Sequence, residues 1–320
     1  MTTLSGEPAL VAALKLAPAE PGVLKAAVRH ELTVGSKARG LELAASLASA
    51  SPADQPAAFE LLRGQVGAAE WSTFFARKLD EKWPLSDSFL QHVCATDVSP
   101  LLAVSHHLAW EIGKRAPLSP QALLCVERRL IEAGQITSAY RLRLGVSRNL
   151  GRRVDHVYNG GFESAPSGSA FDWTINAGGE YRDGFVATIR NGVEFGNLSN
   201  ILQVRFTGQP IRGPVATQTL ALASGRYRLS YRERSVGLAG SKPPMWAVRC
   251  LPTPDLLTVE PWETGEATLD WTTRTTIFSV PERCPGQSLR LEAQTRLSAL
   301  EGIRGTLATD DVVISAETVR

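Results

Sequence analysis

A chain of 320 residues is long enough for two domains, and 43% hydrophobic with 21% charged content is ordinary for a globular protein. With 34 basic against 32 acidic residues the formal charge is only +2, and the two signs are interspersed, so neither nucleic acid nor an anionic membrane surface is an expected partner. No run reaches the roughly 18–20 apolar residues that span a bilayer, and the opening Met1–Glu7 lacks the features of a secretion signal, which taken literally predicts a cytoplasmic product.

In chain order, the first half is rich in Ala and Leu and shows no strand-like alternation. Its punctuation predicts helices near 6–16, 22–32, 40–50, 55–66, 69–82 and 86–95, separated at Pro56, Gly67, Pro84 and their neighbours. Ser99-Pro100 is a further helix start, with Leu101, Val104, Leu108 and Ile112 on one face and Gly113 as its end. Ser119-Pro120 repeats that start, with a stripe of Leu123, Val126 and Leu130 running to Gly134. Ile136, Ala139, Tyr140 and Leu144 then open another helix at once, the pattern of an antiparallel hairpin. Residues 1–150 are therefore expected to be α-helical hairpins in series, either an α-solenoid-like array or an irregular bundle. The segment Leu130–Tyr140 resembles degenerate tetratricopeptide-like repeats, although no 34-residue period is legible.

Residues 145–156 are polar and carry two glycines, and 151–156 is taken as the linker. Beyond it, Gly, Thr, Val, Tyr and Trp rise. Short strands are predicted at Ile201–Phe206, Ala216–Leu222, Tyr227–Tyr231, Met245–Cys250, Thr272–Val280, Ser288–Ala293 and Asp311–Ser315, with prolines at strand ends. Residues 157–320 thus read as an antiparallel β-sandwich, making the chain a multidomain α and β protein.

The strand half opens with Tyr158-Asn-Gly-Gly-Phe-Glu163, followed by Phe171-Asp-Trp173. It continues through Gln218-Thr-Leu, Gly225-Arg-Tyr227, Leu229-Ser230 and Trp271, and closes on Asp310-Asp-Val-Val-Ile314. In order and spacing these resemble galactose-binding-like jelly rolls, in particular carbohydrate-binding modules of the 4/9/22 type, over about half of the chain. The resemblance implies a glycan or polysaccharide ligand and a structural calcium ion held by Glu163 with Asp310 or Asp311, because first and last strands lie side by side in that topology and hard oxygen donors suit calcium. Glu163 could equally pair with an arginine or face water. The Met245–Cys250 strand and the Pro281–Gln287 turn depart from the family and are reminiscent of modules behind helical repeats in bacterial envelope or exopolysaccharide proteins. That module type favours the periplasm or cell envelope.

The residues carry their own reading. Paired glycines in the opening motif permit a tight turn with positive φ and close backbone approach, while Phe162 buries and Glu163 points away. Sugars stack on aromatic faces. Tyr181 and Trp262, in loops flanked by Gly and Pro, are the expected exposed platforms. Trp246 is a further ligand candidate, its strand also carrying Val248, so that one of the two faces the core. Trp173 and Trp271 are also aromatic candidates, with Tyr231 behind the set, but the resemblance implies that both are core positions. Cys94 and Cys125 read as unpaired core cysteines, whereas Cys250 and Cys284, each beside a proline or one residue from it, can bridge two strand ends or stay as thiols.

No catalytic constellation emerges. The histidines 30, 92, 106, 107 and 156 form no metal motif, and adjacent His106 and His107 diverge on a helix. Nucleophile-elbow, phosphate-loop and dinucleotide fingerprints are absent from the sequence. Glu260 and Glu263 flanking Trp262 are the candidate carboxylate pair for glycoside cleavage and carry a third reading, a glycoside hydrolase. The expectation is a non-catalytic glycan-binding accessory of bacterial surface polysaccharide assembly or export, its helices docking partner proteins. A pure protein–protein scaffold is the alternative.

Overall fold

The computed structural model describes residues 7–65, 69–95, 119–149, 155–194, 197–240, 244–251, 253, 255–258, 270–293 and 302–317. The chain falls into two compact units, residues 1–152 and 153–320. Trp262, Glu260, Glu263, His106, His107 and the helix expected from Ser99-Pro100 lie outside the described residues.

Among the described residues the first unit is helical: α1 (Glu7–Leu16), α2 (Pro21–Thr33), α3 (Lys37–Ala50), α4 (Gln55–Arg63), α5 (Ala69–Asp80), α6 (Ser86–Ala95), α7 (Pro120–Glu132) and α8 (Ile136–Asn149). Local chemistry sets the starts. The Glu20 carboxylate accepts from Val23 N at 2.6 Å, and the Ser119 hydroxyl from Ala122 N at 3.2 Å with Pro120 in the first turn. Gly134, at φ +76°, ends α7 and hands the chain directly to α8. Helices pack on their successors, α2 on α3, α3 on α4 and α7 on α8, and also two along, α3 on α5 and α4 on α6. Small residues on α3 (Gly40, Ala44, Ala45, Ala48) allow close approach, and Phe59, Trp71, Phe75, Trp83 and Phe89 fill the centre with ring centroids 5.0–6.4 Å apart. Residues 145–149, part of the polar stretch 145–156, are the last turns of α8, whose inward positions Gly145 and Ser147 are small enough to bury.

The second unit is an antiparallel β-sandwich. Its strands are β1 (Thr174–Ile175), β2 (Gly178–Gly179), β3 (Phe185–Glu194), β4 (Asn197–Thr207), β5 (Ala216–Leu220), β6 (Gly225–Ala239), β7 (Pro244–Leu251), β8 (Thr272–Val280), β9 (Gly286–Ala293) and β10 (Arg304–Ala316). One sheet runs β1-β5-β9-β7 and the other β2-β3-β4-β10-β6-β8. Alternation decides the faces: Leu202, Val204 and Phe206 of β4, Leu229 of β6, Leu307 of β10, and Leu289 and Leu291 of β9 meet in one core. The strand β3 was not anticipated. Its Asn191-Gly192 pair, ordinarily a turn signal, lies within the strand opposite Asn200 and Ser199.

Cys250 at the end of β7 and Cys284 before β9 form a disulfide with Cα atoms 5.5 Å apart. Cys94 and Cys125 are free, and burial, then contact with Cys125, pushes the Cys94 thiol well above the usual range. On β6 a buried carboxylate meets a half-exposed guanidinium, the Arg274 side chain being 35% exposed. Arg274 Nε donates to Glu233 Oε1 at 2.7 Å, and the Glu233 side chain is only 3% exposed. Burial raises the Glu233 carboxyl above its ordinary value against the opposing pull of Arg274, and burial likewise pushes up the neighbouring Tyr231 phenol.

Candidate functional site

The opening motif is built around Asn159 rather than around its glycines. Asn159 takes the left-handed conformation at φ +55°, which its short polar side chain tolerates, and its amide clasps Ser164 through both backbone groups, at 2.7 and 3.0 Å. Its carbonyl accepts from Trp173 Nε1 at 2.8 Å, and Trp173 stacks on Phe162 at 5.2 Å. Phe162, not a glycine, is the second left-handed residue, at φ +56°, and is fully buried while Glu163 is exposed. The segment is a series of turns, and the first true strand, β1, lies beyond it. The glycines serve space instead. Gly160 O accepts from Val312 N at 3.0 Å, and a Cβ at Gly160 would strike the Val312 carbonyl. Gly160→Ala is therefore expected to lower the stability of this unit by about 2 kcal/mol, measured by denaturant unfolding.

That close approach brings the opening segment against β10. The Ser199 hydroxyl donates to Glu163 Oε1 at 2.8 Å and lies 3.3 Å from Asp310 Oδ2, while Asn200 N donates to Glu163 Oε1 at 3.1 Å. A bulge between Asp310 and Val313 holds Asp311 at φ +49° and turns both aspartates to this corner. Asp310 is 1% exposed and accepts from Asp311 N at 2.8 Å, and Asp311 pairs with Arg232 at 3.4 Å. A Cβ on Gly161 would sit 3.6 Å from Asp310 Oδ1, 3.8 Å from Asp311 Oδ1 and 3.8 Å from Glu163 Cγ, so the glycine leaves a small space between the three acids. Among the described residues no group of three or more His, Cys, Asp or Glu side chains is arranged to hold a metal ion. Glu163 and Asp310, which share the Ser199 hydroxyl, are the pair here that could hold a hard cation.

The aromatic candidates separate sharply. Tyr181 is 90% exposed, on the turn between β2 and β3. Trp246 is 3% exposed: its ring packs 5.2 Å from Trp173 and 6.4 Å from Tyr231, and its Nε1 donates to Thr309 Oγ1 at 3.2 Å. It is a core residue and not a platform. Residues two apart on a strand share a face, so Trp246 and Val248 are both inward. Trp173 is buried as expected, but Trp271 is only half-buried and lies under the guanidinium groups of Arg232 and Arg234, at 5.4 and 5.5 Å.

Tyr181 borders a cleft of about 510 Å³ lined by Glu180, Arg205, Thr207, Gln209, Arg304 and Thr306 among others. Glu180 pairs with Arg205, and its carbonyl accepts from Thr207 Oγ1 at 2.9 Å. Arg304 lies across Gly208, where a Cβ would meet its Cγ at 2.9 Å and where φ is +85°, so a side chain at 208 would expel it. The cleft offers an aromatic face, two guanidiniums, one carboxylate and several neutral hydrogen-bonding groups. Only Tyr181 had been singled out from the sequence. Alternation along Ile201–Phe206 already placed Arg205 opposite the buried side chains, but nothing local marked Arg304, which reaches the cleft through the pairing of β10 with β4.

No protein-family model matches this chain, and no curated protein matches it either. Among solved structures it is similar to a CBM4 carbohydrate-binding module, at 18% identity over 50% of this chain and 99% of that one, with a TM-score of 0.36. It is also similar to the CBM22-1 xylan-binding domain of Xyn10C from Paenibacillus barcinonensis (15% identity, 50% and 93% covered, TM-score 0.33) and to a cyclase from Fischerella sp. TAU (18%, 52% and 98%, TM-score 0.32). Likenesses at this level leave function to the residues themselves.

Proposed function

We propose that the sandwich is a non-catalytic glycan-binding module that receives a sugar chain on Tyr181 and the cleft beside it. The observation that carries this reading is Tyr181 itself, 90% exposed at the border of a concave, polar surface. An aromatic face next to convergent hydrogen-bonding groups suits a pyranose ring, which presents C–H groups on its face and hydroxyls at its rim. The helical unit, with helices packed on their successors and two along, is read as a hairpin array that docks partner proteins. The whole is assigned to bacterial surface polysaccharide assembly or export. The test is a glycan array probed with the full chain. Binding to at least one glycan class is expected, weakened about tenfold (about 1.4 kcal/mol) by Tyr181→Ala. An array with no positive glycan, with or without calcium, would leave the protein-scaffold reading in its place.

The corner formed by Glu163 and Asp310 is assigned a structural calcium ion, which when bound would offset the repulsion between those carboxylates. At a hundredfold excess over its Kd, calcium should stabilise the module by about 2.7 kcal/mol, a rise of about 5–10 °C in its Tm. Glu163→Gln should remove most of that rise. An identical thermal transition in calcium and in chelator would discard the ion.

A further inference from the structure

We propose that the cleft selects an acidic glycan, one whose ring beside Tyr181 carries a carboxylate or a sulfate; this rests on the glycan-binding reading above. The charge inventory of the cleft is uneven. Arg205 is matched by Glu180. Arg304 lines the same cleft and is exposed, and among the described residues no ion pair or side-chain hydrogen bond holds its guanidinium. Its location is nevertheless built. Gly208 is left without a Cβ beneath it, and Gly208 N donates to Ile303 O at 2.7 Å, anchoring the backbone next to Arg304. Arg304 also opens β10, opposite Thr207 of β4.

A planar guanidinium offers a fork of N–H donors that fits a pair of anionic oxygens. A ring stacked on Tyr181 would present its charged substituent to Arg304, with Thr207, Gln209 and Thr306 at hand for the hydroxyls. A neutral sugar would use the aromatic face and the neutral groups but would leave the Arg304 charge without a counterpart. The paired Glu180 would also repel an anion placed on the Arg205 side, which directs the charge to Arg304.

The experiment is a titration of the full chain with uronic-acid oligosaccharides, their carboxyl-reduced neutral counterparts of the same linkage, and O-sulfated oligosaccharides with their unsulfated counterparts. At low salt the anionic member of at least one pair should bind about tenfold more tightly than its neutral partner. The pair showing the preference tells carboxylate from sulfate. The preference should shrink as salt shortens the Debye length. Arg304→Gln should collapse the ratio toward one, and Arg304→Lys, which keeps the charge without the fork, should give an intermediate ratio. Equal binding of anionic and neutral partners, or an undiminished ratio in Arg304→Gln, overturns the acidic-glycan inference while glycan binding stands. No binding by any oligosaccharide, on this panel or on the array, overturns both.

Discussion

Trp246→Ala is expected to destabilise the sandwich by about 3–5 kcal/mol, lowering its thermal transition by about 10 °C. The substitution removes a ring that is 3% exposed and lies between the two sheets. Trp246 belongs to β7 of the four-stranded sheet, while the hydroxyl it donates to, Thr309, and the ring it meets edge-on, Tyr231, belong to the six-stranded one. Alanine would therefore leave a cavity, strand the Thr309 hydroxyl and take away one side of the Trp173 contact at 5.2 Å. Tyr181→Ala is the control. A 90% exposed ring has little packing to lose, and its replacement should stay within about 0.5 kcal/mol of the parent. Comparable, small losses for both variants in denaturant titrations would mean that Trp246 is not a core residue.

Arg274→Met should cost about 3 kcal/mol at pH 7, and the cost should fall on acidification. Glu233 is enclosed with Arg274 as its counter-charge, and removing one member of such a pair leaves an uncompensated buried carboxylate. The sign follows from the direction of its shift. Burial holds the folded Glu233 carboxyl above its ordinary value of about 4.3 even with Arg274 present. The protonated form is thus favoured by folding: the contribution of this group is fully present below the unfolded value and is lost as pH rises through the folded one. Without Arg274 the folded value moves higher still. The gap in stability between variant and parent should accordingly be small near pH 4 and reach its full size near neutrality. Contributions common to variant and parent cancel in that difference, and burial keeps the neighbouring Tyr231 phenol neutral across this range. A gap that is constant with pH, or larger in acid, would show that Glu233 remains ionised without the arginine.

Strand positions such as Thr272–Val280 were legible to the residue because alternation and a closing proline are properties of the strand itself. So was the start of α7, where Ser119 and Pro120 satisfy the first turn with no outside help. Residues 145–149 were polar in sequence yet helical in the structure, because polarity alone does not distinguish a turn from the exposed face of a helix, and Gly145 and Ser147 are buried in α8 by their small size. The strand β3 was missed because Asn191-Gly192 is a turn signal in isolation, and only the ladder to β4 overrides it.

The candidate site was legible in part for the same reason. Tyr181 stood out because Gly178, Gly179 and Gly184 surround it with turn-forming residues, and a loop aromatic has no strand partner to bury it. The three acids Glu163, Asp310 and Asp311 were assigned to one corner through a resemblance. What joins them is the contact of Gly160 with Val312 and the bulge at Asp311, not an adjacent first strand. Arg304 is 123 residues from Tyr181 in the chain, and no spacing rule connects them.

The amino-acid sequence thus determined by itself the division into a helical and a strand half, most element positions and the antiparallel β-sandwich character of the second half, because periodicity, capping and turn chemistry act over a few residues. Tertiary structure alone decided which aromatic rings are buried, how the acids converge and which arginine of the cleft has no carboxylate partner among the described residues. Those depend on strand order and register, which set contacts between residues far apart in the chain.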